Sequence, residues 1–240
     1  MTVYSREQWG STGAPGGYEI AGPVSEVYVH HFGSGIQPAR SVDEAMARMR
    51  SAQAYHRSLG WGDIGYSWCV DYAGNVYEGR GWGRTGAHTY GFNSKGYGIC
   101  GLFDSTVYPP SDEMIDAIAA VTLAGVELGR ITAGPGVFAH RDKVPDTACC
   151  GDPMYMRLDD IRRLVAVGMV LERLDGGEDK DKDMPALLCN IDGSIYGCFA
   201  DGIWRMLGGA EFTHWSAKGV DQVAYTKDEW ATLRGWGRVA

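Results

Sequence analysis

The sequence predicts an α/β fold in which helices flank a central mixed β-sheet, with a small β-rich module at the C-terminus. Short apolar runs typical of buried strands alternate with segments whose apolar residues recur at helical spacing. Hydrophobic residues fill 45% of the 240 positions, which is enough for an ordinary core. A run of charged residues after the last helical segment predicts where the module begins.

The N-terminal part of the chain predicts a strand, a helix and a hairpin. The strand covers Val27 to His31. The helix runs from Ser41 to about Leu59, because Ser41 can cap its free N–H groups and apolar residues recur along one face. The hairpin joins residues 66–71 to residues 76–78 through a turn at Ala73-Gly74-Asn75.

The same alternation continues over the next hundred positions or so. Residues 96–103 predict a strand, and Pro109-Pro110-Ser111 starts a helix that ends at Gly129. Val137 to His140 predicts the next strand, and Leu158 to Leu174 the last helix.

These elements divide the chain into a first domain (residues 1–174), an acidic linker (175–183) and a C-terminal module (184–240). The linker is too charged to bury anything. Four of the eight tryptophans lie in the module, at positions 204, 215, 230 and 236. Two interpretations stay open: exposed rings that stack against sugars, or rings that fill the core of a small domain.

Charge and composition exclude several classes of function. A net charge of -8 argues against nucleic-acid binding, which calls for a basic face. No apolar run is long enough to cross a bilayer, and the N-terminus lacks the features of a secretory signal, so we expect synthesis in the cytoplasm. Six cysteines in such a chain favour thiols or metal ligands over a disulfide framework.

Histidine and cysteine residues near predicted strand ends indicate a metal site. His30 ends one strand, His140 ends another, and Cys149 follows nine residues later. Imidazole nitrogen and thiolate sulfur both suit zinc, and three protein ligands leave a fourth position for water. His31 and Cys150 stand beside two of these residues, so a register error of one position leaves the choice within each pair open.

Seven motifs occur in an order that resembles the zinc N-acetylmuramoyl-L-alanine amidases, the type 2 amidase family that includes phage lysozymes and animal peptidoglycan-recognition proteins. They are Val-His-His (29–31), Gly-Trp-Gly-Asp-Ile-Gly-Tyr (60–66), Val-Tyr-Glu-Gly-Arg-Gly-Trp (76–82), Gly-Ala-His-Thr (86–89), Phe-Asn (92–93), Ala-His-Arg-Asp (139–142) and Thr-Ala-Cys (147–149). The resemblance covers roughly the first two thirds of the chain.

The resemblance implies the amidase and peptidoglycan-recognition fold and one Zn²⁺ per chain, bound by His30, His140 and Cys149. The implied reaction is hydrolysis of the amide between N-acetylmuramic acid and L-alanine of the stem peptide, with zinc polarising the carbonyl and activating water. Tyr66 matches the catalytic tyrosine, and Thr147 matches a position that is lysine in some phage amidases and threonine in active animal relatives. Both are predicted to be catalytic.

The resemblance also implies which residues contact peptidoglycan. His88, Thr89 and Asn93 lie in a glycine-rich stretch that is similar to the wall of the family's substrate groove. His31 is expected to hold the strand end through hydrogen bonds, and we group it with the substrate-binding residues.

The sequence further predicts a monomeric phage endolysin that acts on the bacterial cell wall, since such an enzyme needs no signal peptide of its own. The alternative is a recognition protein that binds peptidoglycan without cutting it. Relatives of that kind typically lose a ligand, most often the cysteine, whereas Cys149 is present here. The sequence departs from the family at Cys150, where relatives usually carry proline.

Overall fold

The computed structural model describes residues 1–175 and the strand segments 187–191, 194–198, 203–207, 221–225 and 238–239, with side chains up to residue 168. The chain divides into two compact units, residues 1–166 and residues 167–240. Almost all of the predicted linker lies outside the described residues, so the domain boundaries stay a prediction. Within the described part, no helix combines the length and apolarity needed to span a membrane.

The first unit is built on a six-stranded mixed sheet with the order β1-β4-β3-β5-β2-β6. Its strands are β1 (Val3–Tyr4), β2 (Val24–His31), β3 (Trp68–Val70), β4 (Val76–Glu78), β5 (Gly96–Gly101) and β6 (Ile131–Ala139). Its helices are α1 (Val42–Ser58), α2 (Asp112–Glu127), α3 (His140–Lys143) and α4 (Asp152–Met156), and α5 (Leu158–Asp175) begins in this unit and ends in the second. Strands β3, β5, β2 and β6 run parallel, while β4 is antiparallel to β3. The predicted α/β fold with a mixed sheet is confirmed.

The two long helices that follow β2 and β5 begin where the sequence predicts. The Ser41 hydroxyl accepts the backbone N–H of Glu44 at the start of α1, and the Ser111 hydroxyl accepts that of Met114 at the start of α2. These bonds satisfy amide groups that have no partner within the helix. Gly129 has φ of +64°, a conformation that ends α2 and that other residues rarely adopt.

Helices α1 and α2 cover opposite faces of the sheet. Met49 of α1 packs in one buried cluster with Cys100 of β5. A side chain at the next residue, Gly101, would lie 3.1 Å from the Sδ atom of Met114 in α2. Because successive residues of a strand point to opposite faces, the sheet is enclosed between the two helices.

Several predicted strand boundaries are wrong, and β2 begins at Val24 instead of Val27. Strand β6 starts at Ile131 instead of Val137. The sequence Gly134-Pro135 is not typical of a strand, and a register shift in the pairing with β2 accommodates these two residues. Proline is tolerated there since β6 is an outer strand. His140 begins α3 instead of ending β6, and β5 ends at Gly101, two residues before Phe103.

A buried carboxylate joins the N-terminal segment to α1 and to the turn before Tyr66. Asp63 accepts hydrogen bonds from the Gln53 amide at 2.7 Å and the Gly16 backbone at 2.9 Å, and it pairs with Arg6 at 3.0 Å. Burial acts to raise the pKa of Asp63, but these hydrogen bonds outweigh it and hold the pKa below its usual value. The network fixes the chain just ahead of the predicted catalytic tyrosine.

The second unit contains a five-stranded sheet with the order β10-β7-β8-β9-β11. Its strands are β7 (Leu187–Ile191), β8 (Ser194–Cys198), β9 (Ile203–Leu207), β10 (Asp221–Tyr225) and β11 (Arg238–Val239). Strand β8 is antiparallel to both β7 and β9. The wall-binding role predicted for the module at residues 184–240 stays a prediction. The two interpretations of its four tryptophans concern side chains outside the described part.

Candidate metal centre

The predicted metal ligands meet at one edge of the first sheet, where parallel strands end. His30 lies near the carboxyl end of β2, and His140 follows directly after its parallel neighbour β6. Proteins of the α/β class commonly bind small molecules and ions at this edge, because the loops that leave the strands converge there. Cys149 reaches the same place from the loop between α3 and α4.

The donor atoms of His30, His140 and Cys149 all lie within 4.8 Å of one another. The Cys149 sulfur is 3.5 Å from Nδ1 of His30. Donors about 2.0 and 2.3 Å from a tetrahedral zinc are themselves roughly 3.5 Å apart, so this spacing fits the ion. The structure groups Cys149 with the two histidines, and Cys150 is not in the group.

His30 is only 1% exposed and uses both ring nitrogens. Nδ1 faces Cys149, whereas Nε2 faces the Thr89 hydroxyl and Nδ1 of His88. Burial, reinforced by the neighbouring imidazoles of His88 and His140, holds the pKa of His30 well below its usual value. The ring is therefore neutral, which is the state that binds a metal.

The loop of Cys149 is held by backbone contacts. Its carbonyl accepts the N–H of Arg141 at 2.9 Å, and its own N–H donates to the Thr147 hydroxyl at 3.2 Å. The His31 N–H points at the sulfur from 3.4 Å. Burial raises the pKa of the Cys149 thiol to about 12, so its thiolate needs a cation beside it.

His31 and Thr147 thus have structural contacts of their own. Nδ1 of His31 accepts the N–H of Ser105 at 2.9 Å, which agrees with the expectation that it holds the strand end. Because a hydroxyl has one donor and two acceptor positions, Thr147 can brace Cys149 and still donate a hydrogen bond. Substrate contact by His31 and catalysis by Thr147 stay predictions.

The residues predicted to line the substrate groove lie behind His30. The Asn93 side-chain oxygen accepts the backbone N–H groups of His88 and Thr89, each at 2.9 Å. Thr89 is 0% exposed and touches both imidazoles. The Thr89 side chain is thus buried against the two rings, and substrate contact by Thr89 stays a prediction. For His88, which is 8% exposed, and for Asn93, substrate contact stays a prediction.

Tyr66 lies beside the candidate ligands. Its ring centroid is 5.3 Å from that of His30 and 5.7 Å from that of His56. Burial, followed by the thiols of Cys100 and Cys149, raises the pKa of Tyr66 well above its usual value. The phenol therefore keeps its proton near neutral pH and acts as a hydrogen-bond donor.

Tyr66 also forms part of a pocket of about 300 Å³ between α1 and the chain that follows β2. The lining residues are Phe32, Ser34, Ile36, Arg48, Ser51, Ala52, Tyr55, His56 and Tyr66. The pocket has apolar walls with a few polar groups, the composition expected of a ligand site.

Comparison with known proteins identifies the family. The profile of the N-acetylmuramoyl-L-alanine amidases matches residues 21–152, more than half of the chain. The chain belongs to this family. It is 35% identical over 158 residues to a human N-acetylmuramoyl-L-alanine amidase, a match that spans 64% of this chain and 27% of the human protein.

Other relatives carry the name of recognition proteins. The chain is 34% identical over 156 residues to peptidoglycan-recognition protein SC2 of Drosophila simulans, which covers 65% of this chain and 83% of that protein. A mutant of Drosophila PGRP-LB, solved in complex with tracheal cytotoxin, superposes with a TM-score of 0.62 at 30% identity, covering 65% and 92%. The resemblance drawn from the sequence motifs is confirmed.

Sequence reasoning missed the supporting contacts of this amidase-family site. Nothing in the sequence connects Ser105 to His31, because the bond depends on how the loop after β5 folds back. Nδ1 of His56 accepts the Gly65 N–H at 3.0 Å, and the same ring lines the pocket. Its position on the inner face of α1 was the available signal.

Proposed function

We propose that the chain is a zinc-dependent N-acetylmuramoyl-L-alanine amidase that hydrolyses the amide between N-acetylmuramic acid and L-alanine. The observation that carries the proposal is the cluster of His30, His140 and Cys149 donors, with spacing that fits zinc, next to the protonated phenol of Tyr66. Family membership supports the substrate class.

His30, His140 and Cys149 would hold the ion, and the donor set fits it because two neutral imidazoles and one thiolate are ligands that zinc prefers. Bound zinc supplies Lewis-acid polarisation of the scissile carbonyl and lowers the pKa of a water molecule toward neutrality. The protein itself holds the three donor atoms in place and positions the substrate beside them.

Tyr66 is assigned the role of hydrogen-bond donor. Its phenol stays protonated, so it can donate to the carbonyl oxygen as negative charge develops there. The role of Thr147 is smaller. Its oxygen accepts from the Cys149 backbone, which leaves its own hydrogen free to orient the attacking water.

The pocket beside Tyr66 is assigned to the substrate. It opens next to the catalytic tyrosine, and its polar groups include Arg48 and two serines, which suit the amides and carboxylates of a stem peptide. A related PGRP-LB mutant has been solved in complex with tracheal cytotoxin, a monomeric peptidoglycan, which supports binding of such a fragment by the same fold. His31, His88 and Asn93 remain candidates for further contacts.

The alternative function is recognition without cleavage, since several relatives are named recognition proteins. The presence of all three donors and of Tyr66 favours catalysis. We further propose that the enzyme acts as a phage endolysin at the bacterial cell wall, as a monomer, with the module at residues 184–240 binding the wall.

A paired experiment separates the two functions. The whole chain and its Cys149→Ser variant are mixed with insoluble peptidoglycan, and both pelleting with the wall and loss of turbidity are followed. An amidase predicts that both proteins pellet but only the wild type clears the suspension, with clearing abolished by chelator. Wild-type protein that pellets without clearing, with zinc supplied, would establish the recognition function instead.

A further inference from the structure

On the side of the His30 ring away from Cys149, the Nε2 atom of His30 lies close to two further polar atoms. Nε2 of His30 lies 3.3 Å from the Thr89 hydroxyl and 3.3 Å from Nδ1 of His88. The hydroxyl and that Nδ1 atom are 2.9 Å apart. Because all three side chains are buried, water does not compete for these contacts.

The proton positions follow from the role of His30. If its Nδ1 binds the metal, its proton sits on Nε2 and needs an acceptor. The Thr89 oxygen can accept it, while the Thr89 hydrogen donates to the closer atom, Nδ1 of His88. A proton on Nδ1 of His88 would approach the N–H of His30, so this arrangement places the His88 proton on Nε2, a buried atom without a hydrogen-bond partner among the described residues.

We propose that Thr89 is a positioning residue for the zinc ligand His30. Its hydroxyl accepts the N–H of His30 and donates to His88, which fixes His30 in the tautomer whose Nδ1 faces Cys149. This inference rests on the zinc site of the proposed function. Hydrogen bonds of this kind orient a ligating imidazole and raise its basicity.

The packing around His30, Thr89 and His88 restricts where the Thr89 hydroxyl can lie. Asn93 clamps the backbone of both His88 and Thr89. The His88 ring occupies a slot between two glycines, where an added Cβ would lie 2.1 Å from the ring at Gly86 and 2.6 Å from it at Gly98. Both distances are too short for van der Waals contact, so a residue larger than glycine at position 86 or 98 would displace the ring. The two glycines therefore keep His88 against the Thr89 hydroxyl.

The test uses Thr89→Val, which keeps the shape of the side chain, and Thr89→Ser, which keeps the hydroxyl. Zinc dissociation constants are measured on the whole chain by competition with a chromogenic chelator, and folding is followed by circular dichroism. We expect Thr89→Val to bind zinc roughly 10- to 100-fold more weakly, and Thr89→Ser to stay close to wild type. Folded Thr89→Val with wild-type affinity would overturn the proposal, because His30 would then donate directly to His88.

A measurement on the wild type covers the case in which Thr89→Val does not fold. Nitrogen-15 NMR of the zinc-loaded protein should show the protons of both His30 and His88 on Nε2. A proton on Nδ1 of either ring would overturn the proposal. Tight zinc binding without peptidoglycan cleavage would overturn the proposed function alone, whereas a wild-type chain that binds no zinc would overturn both.

Discussion

Adding one methyl group at Gly98 should disturb both folding and metal binding. Gly98 lies on β5 directly beneath the His88 ring, and an added Cβ would be 2.6 Å from Cγ and Cδ2 of that ring. Ordinary contact begins at 3.4 Å, so the ring must move by about 0.8 Å or the strand must shift. No positive φ is recorded at Gly98, so the effect of Gly98→Ala is steric.

The magnitude follows from overpacking of a buried site. Such insertions typically cost ~1–3 kcal/mol of unfolding free energy. The displaced ring also loses its place against Thr89 and His30, so zinc affinity should fall by roughly tenfold or more. Urea unfolding is measured with chelator present, because bound metal would itself add to stability.

A double-mutant cycle supplies the control. His88→Ala removes the ring, so adding Gly98→Ala to it should cost much less than adding it to the wild type. The coupling energy between the two positions should be about 1 kcal/mol or more. Equal costs in both backgrounds, or wild-type stability of Gly98→Ala, would refute the packing argument.

Three further predictions concern the candidate ligands, the tyrosine and the buried carboxylate. In elemental analysis, we expect about one zinc equivalent in the wild type, most of which Cys149→Ser should lose and Cys150→Ser should keep. Tyr66→Phe should keep zinc and fold but lose ~100-fold or more in turnover, as expected when one donor to the oxyanion is removed. Asp63→Asn should lower the unfolding free energy by about 3 kcal/mol at neutral pH, since it breaks a buried pair with Arg6. Because the folded-state pKa of Asp63 is depressed, its contribution is present above the usual carboxyl pKa and is lost as the pH falls through the folded value.

Each of these has a contrary outcome. Zinc loss in Cys150→Ser with retention in Cys149→Ser would show that the neighbouring thiol is the ligand. Full turnover by Tyr66→Phe would return the tyrosine to a packing role. A stability difference between wild type and Asp63→Asn that does not shrink on acidification would mean that the Asp63 charge is not what stabilises the fold.

The candidate ligands were predictable because their signals are local. His30 ends an apolar run that forms β2, and cysteine with histidine is a donor set that few structural roles require. The start of α1 was also predictable, because the side chain of Ser41 caps the helix. In each case the residue type and its immediate neighbours carry the information.

The support behind His30 was not predictable in this way. Thr89 stands in a glycine-rich stretch that is typical of an exposed loop, and only the slot left by Gly86 and Gly98 shows that the stretch turns inward. The early start of β6 was hidden for a similar reason, because Gly134-Pro135 is tolerated only through a register shift against β2. Long-range packing decides both features.

The proposed amidase activity is tested most directly by digestion of purified peptidoglycan by the whole chain in water enriched in oxygen-18, with the products identified by mass spectrometry. Hydrolysis of the amide by water should give stem peptides with free N-terminal L-alanine and place one heavy oxygen in the lactyl carboxylate of muramic acid. Chelator should abolish both products and added zinc should restore them. New reducing sugar ends, cuts within the stem peptide, or cleavage that persists in chelator would contradict it.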